Sequence, residues 1–337
     1  MFCLEGYVQE KQPYFAAIDL GSNSCRLLVV TPENGKLITV EAFSRIVRLS
    51  EGLTATDLMS DQAMSRVYDV LEQSAKRLRL YSPVILECVA TEACRKAKNS
   101  LPFLKRIKEK LGLDFRVITE EEEARLTVRG ITSLLDPSFP YGIVFDVGGG
   151  STEIVLLKQQ DKGLPEIIDW LSMPVGVVSI AEIEQPDHAT SYLRVVSMIA
   201  DALEKFSAPH NLLDLLKHNK VQLIGSSGTA TTAAALHLGL HYYDKHRIDG
   251  QILTFPDFEK VIKEIQMMSY EERAQHPCIG PDRADLVLGG MAIFEGLAKA
   301  WPIGKLTVAD RGVRDGLVDK LYENYLEKSD LGLRGES

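Results

Sequence analysis

Two stretches of the chain repeat one hydrophobic pattern. Ala17-Ile18-Asp19-Leu20-Gly21-Ser22-Asn23-Ser24 is answered by Val144-Phe145-Asp146-Val147-Gly148-Gly149-Gly150-Ser151-Thr152. Each then enters a second apolar run, Arg26-Leu27-Leu28-Val29-Val30 in one and Ile154-Val155-Leu156-Leu157 in the other. Both therefore read as strand hairpins closed by a Gly/Ser-rich turn, and the repetition predicts two similar lobes.

Between the copies the spacing predicts a helix near Asp61–Leu80, a strand at Val84–Ala90, a helix near Leu101–Leu111, a short strand at Phe115–Ile118 and a helix at Glu120–Leu135. The breaker-rich segment Asp136-Pro137-Ser138-Phe139-Pro140-Tyr141-Gly142 marks a linker before the second hairpin. Beyond it, helices are expected near His188–Phe206, Thr229–Leu238, Pro256–Met268, Arg283–Ala300 and Val313–Leu326. Strands are expected at Val221–Ile224 and Lys305–Val308, and Glu327–Ser337 reads as a polar, frayed tail. The alternation is that of an α/β protein. The last helix returns to the first lobe, giving 1–124 with 310–337 as one unit and 125–309 as the other.

At 337 residues the chain exceeds the usual single hydrophobic core, and 45% hydrophobic with 25% charged residues is the balance of an ordinary folded protein. The uncharged run Val221–Tyr243 is broken by Gly225-Ser226-Ser227-Gly228-Thr229 and reads as strand, turn and helix rather than a membrane span. Met1-Phe2-Cys3-Leu4-Glu5 has no basic start followed by an apolar core, so no secretory signal and a cytoplasmic location are expected. Five cysteines, Cys3, Cys25, Cys88, Cys94 and Cys278, lack a C-x-x-C pair and fit reduced thiols. A net charge of −9 argues against nucleic acid as a partner and requires a dedicated pocket for any anionic substrate.

Chemistry concentrates in the glycine turns. A D-x-G turn at a strand end lets backbone N–H groups approach a phosphate while its aspartate holds a metal or orients water. One copy would fit an ordinary hairpin; two, each beside hydroxyl residues, point to an anion cradle. Leu223-Ile224-Gly225-Ser226-Ser227-Gly228-Thr229, opening an alanine-rich helix, adds a third glycine turn at a helix N-terminus. Alone it fits a tight strand-to-helix connection.

Six motifs in order resemble the exopolyphosphatase / guanosine pentaphosphate phosphohydrolase (Ppx/GppA) family of the actin-like superfamily. Besides the three turns they are Ala90-Thr91-Glu92-Ala93-Cys94-Arg95-Lys96-Ala97-Lys98-Asn99, Thr119-Glu120-Glu121-Glu122-Glu123-Ala124-Arg125-Leu126 and Asp310-Arg311-Gly312-Val313-Arg314-Asp315-Gly316. The resemblance covers about Phe15 to Leu326. It implies two actin-like (ribonuclease H-like) lobes with an interdomain cleft, and Mg²⁺-dependent removal of a terminal phosphate from polyphosphate or of the 5′ γ-phosphate of guanosine pentaphosphate.

Carried over by motif, Glu123 is the general base, Asp146 and Glu153 are acidic catalytic residues, and Asp146, Glu153 and Asp19 are candidate Mg²⁺ ligands. Gly21, Ser22, Asn23, Ser24, Arg95, Gly148, Gly149, Gly150, Ser151, Thr152, Gly225, Gly228 and Thr229 are candidate phosphate-binding residues. Plainer readings stand beside these. Glu120–Glu123 sit where negative charge favours a helix start, Arg95 fits a surface ion pair, and Asp19 fits a turn. Arg311, Arg314 and Asp315 are expected to make inter-lobe contacts.

Lys76, Arg77, Arg79, Lys96, Lys98, Lys105, Arg106, Lys108 and Lys110 give the first lobe a basic section read as solvated faces. Cys25 and Arg26 stand where many relatives have an aromatic or aliphatic residue and then histidine. The chain is expected to be a short form without the long members' helical extension, and a homodimer is one option for its assembly. The competing reading is a non-enzymatic sensor of guanosine tetra- or pentaphosphate, with a sugar kinase weaker still.

Overall fold

The structure, a computed structural model, describes residues 13–183, 188–301 and 304–334. Cys3, the Met1–Glu5 start and the last tail residues lie outside them. The first sheet contains β1 (Tyr14–Leu20), β2 (Ser24–Glu33), β3 (Lys36–Ile46), β4 (Val84–Ala90) and β5 (Phe115–Val117), in the order β3-β2-β1-β4-β5. The second contains β6 (Tyr141–Val147), β7 (Thr152–Lys158), β8 (Glu166–Met173), β9 (Val221–Ser226), β10 (Ile252–Thr254) and β11 (Lys305–Ala309), in the order β10-β11-β9-β6-β7-β8.

With β10 set aside, the two sheets have one topology. Three antiparallel strands come first in sequence, a fourth pairs parallel to the first of them, and a fifth pairs parallel to the fourth. The parallel strands require helical crossovers. In the first lobe these are Asp61–Leu78, capped by Ser60, and Ser100–Leu111; Val67, Leu71, Phe103 and Ile107 bury their apolar stripes in one core with Ile18 and Leu27. In the second lobe Ala189–Ser207 and Val287–Ala300 pack against the sheet through residues including Ile199 and Phe294. The expected α/β, two-lobed architecture is met.

The chain passes between the sheets along two helices, Glu120–Ile131 and Val313–Arg334. Ala124, Val128 and Ile131 of the first pack on Val144, Val155 and Leu157 of the second sheet. Leu126, on its other face, joins Phe15, Leu28, Val313 and Leu317 under the first sheet. The two helices touch backbone to backbone. A Cβ on Gly130 would collide with the Gly312 carbonyl oxygen, and one on Gly316 with that of Leu126.

Several boundaries differ from the sequence reading. The helix begun at Glu120 ends at Ile131 and tightens into a 3-10 turn at Thr132–Leu134 before Asp136-Pro137. The helix expected from Arg283 starts at Val287, because Gly280 (φ 74) begins a run of tight turns in which Leu286 N donates to Arg283 O. The C-terminal helix continues to Arg334 rather than fraying from Glu327, anchored where Tyr322 and Tyr325 pack edge-on against Phe15. Edge strands β3 and β8 were not expected.

Val221–Tyr243 is strand β9, a turn and the helix Gly228–His237, and among the described residues no helix is long and apolar enough to cross a membrane. Cys25, Cys88, Cys94 and Cys278 are all free and buried. In the basic section, Lys76, Arg77, Lys98 and Lys108 pair with Glu72, Glu41, Asp57 and Asp114.

Candidate functional site

The turns after β1 and β6 are built alike: Gly21 N donates to Ser24 O and Gly148 N to Ser151 O, both at 2.9 Å. Each turn follows an aspartate at the end of its strand, and each aspartate has a charged partner in register across the hairpin. Asp19 faces Arg26 on β2, and Asp146 faces Glu153 on β7. The turns meet. A Cβ on Gly149 would lie 2.8 Å from Asn23 N, so only glycine admits this approach, and the Gly150 backbone abuts the Glu92 carboxylate.

Between the sheets lies a cleft of about 850 Å³. The first turn supplies Gly21 to Ser24 to its wall, and the second supplies Gly148, Gly149 and Ser151. Gly228 and Thr229 line it from the start of the helix Gly228–His237, which Ser227 caps by accepting from Ala230 N at 3.0 Å. Four expected phosphate-binding residues, Arg95, Gly150, Thr152 and Gly225, do not reach this wall. The Thr152 hydroxyl is buried and donates to Val175 O at 2.6 Å, and Gly225 packs against the Phe145 ring, where a Cβ would lie 3.0 Å from it.

Thr119 caps the helix Glu120–Ile131 by accepting from Glu122 N at 3.1 Å, and the caps and turns of this first helical turn fan its acids apart. Glu121 pairs outward with Arg125 at 2.9 Å and Glu122 with Arg116 at 2.6 Å. Glu123 alone of the four lines the cleft, where Arg95 Nη1 donates to its Oε2 at 2.7 Å and to Ile118 O at 2.9 Å. Arg95 therefore stands behind Glu123 rather than on the cleft wall.

Burial dominates the electrostatics. It pushes the Glu123 carboxyl up to about 7 although Arg95 pulls the other way. Asp146 is likewise raised to about 7 against the pull of Arg26. Glu153 is raised well above its ordinary value by burial and then by the Glu123 charge, and Asp19 is raised by burial against Arg26 and Arg314. Asp19 Oδ1, Asn23 Oδ1 and Arg95 Nη2 are buried without a hydrogen-bond partner. Each such atom costs about 1–3 kcal/mol unless something meets it.

Crowded, under-compensated carboxylates and an orphaned Asp19 oxygen fit a divalent cation. Among the described residues no three His, Cys, Asp or Glu side chains group closely enough to enclose one. A hard divalent cation can be held by one or two carboxylates, with water and substrate phosphate oxygens completing its shell.

Several residues on the cleft carried no assigned role in the sequence reading. Arg26 lies within the field of Asp19, Asp146 and Asp310. It stands at the same spacing from Asp19 as Glu153 does from Asp146, a signal the internal repeat contains. Glu92 is buried, accepts from Ser22 Oγ at 3.2 Å and pairs with Lys96. Arg283 and Asp310 also line the cleft, as do Arg311 and Arg314, for which inter-lobe contacts were expected. Arg311 is held by Asp249 at 2.7 Å and by Ser133 at 2.9 Å.

Comparison with known proteins gives the same picture. A model of the Ppx/GppA phosphatase family matches residues 28–325. Exopolyphosphatase 2 of Mycobacterium tuberculosis is 30% identical over 90% of this chain and 96% of its own length. A guanosine-5'-triphosphate,3'-diphosphate pyrophosphatase of Aliivibrio fischeri is also 30% identical over 90% of the chain, which spans 58% of that longer protein. The crystal structure of the Aquifex aeolicus Ppx/GppA family member superposes with a TM-score of 0.75 at 29% identity, covering 93% of this chain and 99% of that one. With its two lobes of one topology and its motifs gathered on one cleft, the chain belongs to the Ppx/GppA phosphatase family.

Proposed function

We propose that the chain hydrolyses terminal phosphoanhydride bonds, releasing phosphate from inorganic polyphosphate and from the 5′ end of guanosine pentaphosphate. The observation that carries this reading is Glu123, buried on the cleft wall, raised to about 7 and held by Arg95 at 2.7 Å. A carboxylate with that affinity for a proton suits a general base at neutral pH. The names of the relatives, one an exopolyphosphatase and one a guanosine pentaphosphate pyrophosphatase, support both substrates.

In this mechanism the terminal phosphoryl group rests in the cradle of the two glycine turns and the Thr229 turn. Glu123 takes a proton from a water as its oxygen attacks phosphorus in line. The backbone N–H groups of the cradle stabilise charge spreading over the phosphoryl oxygens, while Arg95, standing behind Glu123, positions that carboxylate. The leaving phosphate is held by the guanidinium groups farther along the cleft. Of the three expected ligands, Asp19, with its orphaned oxygen, and Asp146, which lies in its field, would hold Mg²⁺, which when bound would neutralise phosphate charge, and Glu153 stands beside them on the cleft wall. We assign 1–124 with 310–337 to the first lobe and 125–309 to the second.

The test is phosphate release with Mg²⁺ from polyphosphate and guanosine pentaphosphate side by side, with Glu123→Gln as control. Release from at least one substrate, lost in the variant, is expected. Tight binding of guanosine pentaphosphate with release from neither would replace the hydrolase with a sensor.

A further inference from the structure

Arg48 follows β3 in a loop that does two things at once. Its backbone braces the first glycine turn: Val47 N and Arg48 N both donate to Asn23 O, at 2.8 and 3.0 Å, and Ser50 N donates to Ser22 O at 3.0 Å. Its guanidinium crosses to the other lobe. Nη1 and Nη2 each reach an Asp285 carboxylate oxygen at 2.7 Å, and Nη2 also donates to Asp282 O at 3.0 Å. The backbone at Arg48 has φ 46, a conformation unfavourable for most side chains, which aims this one at the partner lobe.

Neighbouring groups reinforce the bridge. Arg66 Nε donates to Val47 O at 2.9 Å and its Nη2 pairs with Glu51 at 2.5 Å, stiffening the loop from behind. Gly52 N donates to Glu182 Oε1 of the second lobe at 2.9 Å, a second strap beside the first. Asp282 and Asp285 flank Arg283, which lines the cleft, so the segment that receives Arg48 also shapes the substrate wall. The glycine-packed pair of crossing helices ties the lobes through backbone, whereas the Arg48 contact is polar and partly exposed (26% and 34% for the two side chains).

We propose that Arg48 is a positioning residue: its bidentate pair with Asp285 clasps the cleft shut and holds the Ser22–Asn23 turn against Gly149. This rests on the cleft being the hydrolytic site, so its test reads lobe distance and not turnover. Spin labels at Leu101→Cys and Leu193→Cys, exposed positions on opposite lobes, report that distance in the full chain carrying Cys3→Ser, since the other four cysteines are buried.

Asp285→Asn is expected to lower the closed-to-open ratio about fivefold, or ~1 kcal/mol, and to lengthen the mean distance. Raising salt from 0.05 to 0.5 M should open the parent protein and leave Asp285→Asn unchanged. Arg48→Asp should open it too, aspartate being tolerant of positive φ, and Arg48→Asp combined with Asp285→Arg should restore the closed distance. Identical distance distributions in parent and Asp285→Asn at both salt concentrations would overturn the clasp, as would failure of the reversed pair to close.

Discussion

Four consecutive glutamates open the helix Glu120–Ile131, and only the fourth turns its carboxylate into the cleft. Glu121 and Glu122 are engaged by Arg125 and Arg116 on the outside. Glu123→Gln keeps the size of the side chain and removes the proton acceptor, so turnover should fall roughly 10²–10⁴-fold with substrate binding retained. A loss below tenfold in steady-state phosphate release would remove Glu123 as the base.

Asp146, raised to about 7, binds a proton in the folded protein over a range of pH where the unfolded chain has released it. Stability from this group is therefore full below about pH 4 and is lost as pH rises through about 7. In EDTA the melting temperature should drop by a few degrees between pH 5.5 and pH 8, and Asp146→Asn should flatten much of that drop. Mg²⁺ should stabilise more at pH 8, where the carboxylates are ionised. A Mg²⁺ effect equal at both pH values would place the ion elsewhere.

Motif residues such as Asp19, Asp146 and Glu123 were legible because each stands in a short run with its own turn or cap. Arg26 and Glu92 were not assigned: one looks like a strand residue and the other like a helix start, and only the fold brings their side chains to the cleft.

At the scale of elements, the hairpins, the long helices and the parallel strands were readable from periodicity. The edge strands β3 and β8 were not, because they bury few positions. Of β3 only Phe43 is fully buried and of β8 only Met173, so neither shows strong apolar contrast. The helix crossing was equally hidden, since Gly130 and Gly316 resemble ordinary helix interruptions until their backbones are seen to touch.

Two glycines then predict opposite phenotypes. Gly316→Ala sets a methyl group against the Leu126 carbonyl, with backbone on both sides, and should cost about 1–3 kcal/mol in chemical denaturation. Gly149→Ala sets a methyl group 2.8 Å from Asn23 at the rim where the lobes meet. It should leave the melting temperature nearly unchanged while cutting phosphate release more than tenfold. Equal stability loss in both would mean that the turn contact is part of the fold's scaffold.

For the whole molecule, the two-lobed design was visible in the repeat, but the contacts that close it were not. Arg48 and Asp285 are 237 residues apart, and nothing local to either announces the other. A ligand touching both lobes should stabilise the assembly. Polyphosphate at 100 times its Kd, added to Glu123→Gln with Mg²⁺, should add about 2.7 kcal/mol, seen as a rise of several degrees in melting temperature. The net charge of −9 leaves anion affinity to the cleft, so single-stranded DNA should not compete. Competition at matched phosphate concentration would show a broader polyanion surface.

The paired hairpins have a further consequence. Their shapes match, but at equivalent strand positions one presents Arg26 and the other Glu153. A vessel with equal halves would accept a chain of phosphates from either direction and at any link. Opposite charges at matching points make the two halves of the cleft unlike: Arg26 answers Asp19 in one hairpin, whereas Glu153 adds a second acid to Asp146 in the other. A cleft lined by two identical hairpins would lack this polarity.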